Sequence, residues 1–153
     1  MSLSTLFSEF IALMTPGTIF NAFWATGFGI IVGMLPGLTA TMGVALLTGL
    51  TFRFMPEQAM VVLISTYVGA IYGGSRSAIL LNIPGTPANA ATCLDGHPLA
   101  RRGEAGYAIG LATTSSAIGT LFGLICLAIF SPLLGKIALK FGSWEFFVLS
   151  IFG

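Results

Sequence analysis

Three short segments carry the side chains able to bind a solute. Gly73-Gly74-Ser75-Arg76 sets two glycines, a hydroxyl and a guanidinium side by side. Asn82-Ile83-Pro84-Gly85-Thr86-Pro87 offers an amide, a hydroxyl and a bend fixed by proline. Pro36-Gly37-Leu38-Thr39-Ala40-Thr41 places two hydroxyls just after a helix-breaking pair. The chemistry common to all three is the reception of an oxyanion. A helix beginning after such a break has free backbone N–H groups and a positive dipole end, which attract a carboxylate. Thr39 and Thr41 add side-chain donors near Gly37, and Gly74, Ser75 and Gly85 mark further candidate helix starts. Arg76 can grip a carboxylate in a forked geometry, as a substrate contact or a gating charge. Asn82 and Thr86 suit an oxyanion, and equally Na⁺ through oxygen atoms. Each segment also has a plainer reading. The first break can be a proline kink whose threonines bond back to the preceding turn. Arg76 can sit at a helix end and extend its charge to the membrane interface. The Asn82–Pro87 motif can be a rigid turn.

Other reactive residues form no set. Asp95-Gly96-His97-Pro98 can be a proton relay, but a turn in which Asp95 bonds nearby backbone N–H groups explains it as well. A serine hydrolase built on Ser75 and His97 lacks a base within the Gly-Gly-Ser-Arg-Ser context, so no catalytic residue and no enzyme is expected. Cys93 and Cys126 are far apart with no metal spacing and read as free, packed thiols. No cofactor is called for.

The elements that position these residues follow from composition. Of the 153 residues, 56% are hydrophobic and only 7% charged. Soluble domains carry about 25% charged residues, so this chain belongs in a lipid bilayer. Its net charge of +1 gives no reason to expect nucleic acid. Uncharged runs fill residues 10–52, 58–75 and 105–135. The first would span about 65 Å as one helix, against about 30 Å of hydrocarbon. It must break, and 36–37 is the place. Before the break, Ala25, Gly29, Gly33 and Gly37 recur every four residues and present a groove for a partner helix. The fold expected is an all-α polytopic membrane protein with broken or re-entrant segments. Residues 1–16 read as a short amphipathic helix and 17–72 as helices broken at 36–37. Residues 73–94 read as a re-entrant segment, because the glycines and prolines there disfavour one continuous helix. Broken backbone at membrane depth must be buried in protein or line a watery cavity. A polar connector follows at 95–104, then a helix at 105–135 and the start of a further helix at 142–153. Trp144 and Phe146-Phe147 suit an interfacial belt. The stop at Gly153, inside an apolar stretch, suggests part of a longer protein.

These blocks resemble the TctA-type large membrane subunit of the tripartite tricarboxylate transporters. The match runs through Gly33-Met34-Leu35-Pro36-Gly37-Leu38-Thr39-Ala40-Thr41-Met42-Gly43. It continues through Tyr72-Gly73-Gly74-Ser75 with Ala78-Ile79-Leu80, and through Asn82-Ile83-Pro84-Gly85-Thr86-Pro87. It closes with Ala91-Thr92, Asp95-Gly96, Pro98-Leu99-Ala100, Gly103 and Gly106. The resemblance implies a secondary transporter for small di- and tricarboxylates, driven by Na⁺ or H⁺, in a bacterial inner membrane with multiple passes. A periplasmic solute-binding protein would deliver the substrate, and a small membrane subunit would accompany the large one. Family members contain two related halves, and this chain resembles the first. In an inverted-repeat transporter the site lies between halves, so one half would hold half a site. The competing class is a non-transporting helical membrane scaffold or assembly subunit, in which the breaks serve packing alone.

Overall fold

Helix α1 spans Pro16–Met34, with Pro16 in its first turn and the Thr15 hydroxyl accepting from Thr18 N at 3.2 Å. The computed structural model describes residues 8, 11–138 and 140–152, and most of the helix expected over 1–16 lies outside them. α1 stops at Leu35, and the chain turns through Gly37, whose φ of +90° favours glycine. Helix α2, Ala40–Thr51, follows. At 12 residues it rises about 18 Å, too little to cross a bilayer alone. Helix α3, Pro56–Leu81, begins with proline and Glu57 in its first turn, the residue types that suit a helix start.

Packing orders these three. Cβ atoms built on Gly29 and Gly33 would overlap the backbone of Thr66 and Ala70, and those on Gly69 and Gly73 the backbone of Thr26 and Ile30. Contact positions therefore rise together along both chains, so α1 and α3 run parallel with their backbones in direct contact. α2 runs antiparallel beside them, with Gly43 against Val32 and Thr66, and Leu47 in a core with Ala25 and Val62. Trp24, Phe28, Phe54 and Leu63 cover that core. The small-residue groove expected on α1 ends at Gly33. Gly37 lies in the turn, where a Cβ would meet nothing within 4 Å.

The break expected at Gly73-Gly74 is absent. α3 runs unbroken through both glycines for 26 residues. Close packing against α1 outweighs the weak helix propensity of glycine, which costs about 1 kcal/mol per residue. α3 ends at Asn82, which adopts φ 58°, ψ 28° and bonds its N–H to Ala78 O. Asparagine is among the few non-glycine residues that take this left-handed cap readily. The broken stretch is therefore 82–86, not 73–81. It doubles back along the last turns of α3, so that Gly85 packs on Gly33 and Gly74. A 3₁₀ turn, Pro87–Asn89, leads into α4, Ala90–Arg101.

α4 then runs in the direction of α3, with Asn89 beside Ile71 and both Gly96 and His97 beside Ile79. The connector expected over 95–104 is correspondingly shorter. Residues 95–101 are helical despite Pro98. Gly96 allows the close approach, since its Cβ would lie 2.8 Å from Ile79 Cγ1. His97 Nδ1–H donates to Ile79 O at 3.1 Å, satisfying one of the carbonyls left over at the end of α3. The helix closes in a Schellman motif: Glu104 N bonds Leu99 O, Gly103 N bonds Ala100 O, and Gly103 takes φ +87°.

Helix α5 spans Ala105–Ala138, and α6 spans Ser143–Phe152. The Glu145 carboxylate caps α6 by accepting from Gly142 N at 2.8 Å. The chain forms two compact units, Met1–Thr113 and Thr114–Gly153. In the second, Trp144 stacks near Phe147 and Phe141 near Phe146, with ring centroids 5.8 and 6.0 Å apart. Among the described residues there is no strand, and two helices, Pro16–Met34 and Ala105–Lys136, are long and apolar enough to cross a membrane. Large apolar side chains stand exposed on both, such as Phe23 at 80%. This is an all-α membrane protein.

Candidate functional site

The first unit contains a cleft of about 250 Å³ where the start of α2 meets the broken segment. Thr39, Ala40 and Thr41 form one wall, Thr86, Pro87 and Ala88 the other, and Tyr67 and Ile71 of α3 the floor. Among the described residues no charged side chain lines it. The Thr39 hydroxyl caps α2 by accepting from Met42 N at 3.3 Å, and it bonds the Thr41 hydroxyl at 2.7 Å. The positive end of α2 and two hydroxyls thus face a third hydroxyl from Thr86.

Thr86 is held in place from behind. The Asn89 amide, only 4% exposed, donates to Thr86 Oγ1 at 2.9 Å and to Ile71 O at 3.0 Å. This ties the returning chain to the middle of α3. Gly74 makes room for it: a Cβ there would overlap the Asn89 amide and lie 3.2 Å from Thr86 N. Gly85 makes room on the other side, where a Cβ would overlap Gly33 O and lie 2.7 Å from Gly74 Cα. Such a wall of hydroxyls and helix-end amides can receive carboxylate oxygens without a formal cation.

Of the residues singled out in the sequence, the cleft gathers Thr39, Thr41 and Thr86, with Gly37 in the turn that precedes the first two. Gly73, Gly74 and Gly85 serve as close-packing positions. Asn82 is exposed at the cap of α3 and does not line the cleft. Ser75 and Arg76 lie apart from it. About 140° of helical rotation separates Ile71 from Arg76 at 100° per residue. There the Ser75 hydroxyl donates to Tyr72 O and accepts from Arg76 Nη1, while His97 bonds Ile79 O, so Ser75 and His97 do not pair. Among the described residues no three His, Cys, Asp or Glu side chains gather as a metal site would require. The sequence reading gave no site role to Tyr67, Ile71 or Asn89. The signal for Asn89 was an amide directly before the Ala90 helix, in a segment with no charge to keep it at a surface.

A family comparison settles the affiliation of this architecture. Residues 19–153 match the tripartite tricarboxylate transporter TctA family. The chain belongs to that family. A curated relative in Agrobacterium vitis, described as an uncharacterized 52.8 kDa protein in the TAR-I ttuC' 3'region, is 40% identical over 151 residues. Those residues are 99% of this chain and 30% of the relative, so the chain spans about a third of the protein it matches. No solved structure matches significantly. Within the TctA family chain, the family match covers every residue that lines the cleft.

Proposed function

We propose that this chain forms part of the membrane subunit of a cation-coupled secondary transporter for small di- and tricarboxylates, with the α2 cleft supplying one wall of the substrate path. The observation that carries this reading is the convergence of Thr39, Thr41 and Thr86 on the positive end of α2, across broken backbone pinned by Asn89. Membrane transporters place interrupted helices and their N-terminal dipole ends at solute sites, and an anionic substrate fits that polarity. Membership of the TctA family supports tricarboxylates as the substrate class. On this reading a periplasmic solute-binding protein and a small membrane subunit are the partners, and the bacterial inner membrane is the location. Na⁺ or H⁺ supplies the driving force, with the Thr86 hydroxyl a candidate oxygen ligand for Na⁺. The second half of the site comes from the remainder of the polypeptide.

Uptake of radiolabelled citrate by the full-length protein with its partner subunits tests the assignment. Thr39→Val and Thr86→Val keep the shape and remove the hydroxyls. Both are expected to lower uptake at unchanged expression, chiefly by raising KM. Wild-type uptake in both variants would refute the cleft as a substrate wall.

A further inference from the structure

Arg76 sits in the opposite sense from the cleft on α3, and its charge is unmatched. The side chain is 6% exposed, and among the described residues no carboxylate pairs with it. Its partners are neutral. Nη1 donates to Ser75 Oγ at 2.6 Å, Nη2 donates to Thr113 Oγ1 at 2.7 Å, and the guanidinium carbon lies 3.3 Å from the centre of the Tyr72 ring.

Both hydroxyls are committed in the same way. Ser75 donates its proton to Tyr72 O at 2.7 Å, and Thr113 donates its proton to Ile109 O at 2.7 Å. Each therefore presents only lone pairs to the guanidinium, and each keeps its own helix bond if Arg76 lets go. The Tyr72 face fixes the plane of the fork, as aromatic rings do for guanidinium groups. A buried cation without an anion is costly, above all in a membrane protein. A carboxylate bonds a guanidinium with two parallel charge-assisted bonds, roughly twice as strong as neutral ones. It would outcompete the two hydroxyls.

We propose that Tyr72, Arg76 and Thr113 form a second carboxylate seat, distinct from the α2 cleft, in which the hydroxyls of Ser75 and Thr113 hold the fork until a carboxylate takes it. The carboxylate comes either from a free organic acid or from an Asp or Glu side chain in the rest of the polypeptide. The seat needs no contribution from Thr39, Thr41 or Thr86, so it stands independently of the transport reading.

The test is site-resolved labelling of the full-length protein in membrane vesicles with phenylglyoxal, read at Arg76 by peptide mass spectrometry. Exposed Arg101 and Arg102 serve as internal references. Citrate at about ten times its dissociation constant is expected to slow labelling of Arg76 about tenfold, following occupancy, with the references unchanged. That result assigns a free carboxylate. If citrate has no effect, a side-chain source predicts that the thermal destabilisation of Arg76→Gln is relieved by neutralising one Asp or Glu outside these 153 residues. It also predicts that Thr113→Val alone is mild. The proposal is overturned if citrate leaves Arg76 labelling unchanged and no neutralising substitution rescues Arg76→Gln. It is equally overturned if Thr113→Val lowers stability as much as Arg76→Gln, because Arg76 would then be a hydroxyl-bonded latch alone.

Discussion

Gly33 of α1 and Ala70 of α3 meet backbone to backbone: a Cβ on Gly33 would overlap the Ala70 carbonyl and lie 2.7 Å from Ala70 Cα. The carbonyl of Gly33 itself is approached closely by Gly85 of the broken segment. Gly33 therefore sets the spacing of the two parallel helices, and Gly85 lets the returning chain seat on the Gly33 backbone. Without a hydrophobic drive between helices in lipid, such close approach is a main source of association.

This makes Gly33→Ala a severe substitution for one methyl group. Backbone cannot swing aside as a side chain can, so the overlap is expected to cost about 1–3 kcal/mol or more. Gly27 on the same helix is the control, because a Cβ there meets nothing within 4 Å. Gly27→Ala is expected to be neutral or to add up to about 1 kcal/mol by favouring the helix. Thermal unfolding in detergent checks both. Equal melting points for the two variants would refute the packing argument.

Asn89 holds the cleft wall through two bonds from one amide. Asn89→Ala removes both, exposes Ile71 O and Thr86 to loss of their partner, and is expected to cost about 1–3 kcal/mol. Citrate uptake should fall with it, because Thr86 is no longer fixed opposite Thr39. Asn89→Ala with wild-type melting and wild-type uptake would show that the 82–89 segment is held by packing alone.

The helices and their membrane setting were legible because uncharged runs and a proline-glycine pair speak directly to bilayer physics. The turn at 36–37 was legible for the same reason. Gly73 and Gly74 misled, because low helix propensity is a local property and their role is tertiary. Each lets another backbone approach, Ile30 at Gly73 and the Asn89 loop at Gly74. Nothing in a single chain distinguishes a glycine that breaks a helix from one that lets a neighbour in. Residues 95–101 misled likewise, since Gly96 and Pro98 read as turn formers, whereas Gly96 and His97 seat a helix against Ile79. In the site, Thr39, Thr41 and Thr86 were visible as hydroxyls beside breaks. The separation of Arg76 from them was not, because it follows from α3 being continuous: only an unbroken helix fixes the angle between residues 71 and 76.

Asn82 offers a clean separation of cap from ligand. Its φ of 58° is a conformation that glycine adopts without strain. Asn82→Gly is expected to keep both the fold and citrate uptake, while Asn82→Val, β-branched and forced into the left-handed region, is expected to cost about 1–2 kcal/mol. A loss of uptake in Asn82→Gly at unchanged melting temperature would return the Asn82 amide to the substrate or Na⁺ site.

Thr86 decides between a solute path and a packing scaffold. It is 4% exposed yet lines the cleft, so a thiol placed there is reached only through the cleft. With Cys93 and Cys126 replaced by alanine, Thr86→Cys in the full-length protein is expected to react with a small water-soluble thiol reagent, because a solute path requires water to reach the cleft. Citrate is expected to slow that reaction by occupying the same space, while an uncharged solute of similar size leaves it unchanged. A scaffold whose broken backbone serves packing alone predicts a protected thiol whose reactivity no carboxylate alters. Slowing by citrate at Thr86→Cys that disappears when Thr39→Val is added would further place position 86 and the Thr39 hydroxyl beside one bound carboxylate, because the two residues line the same cleft from different segments.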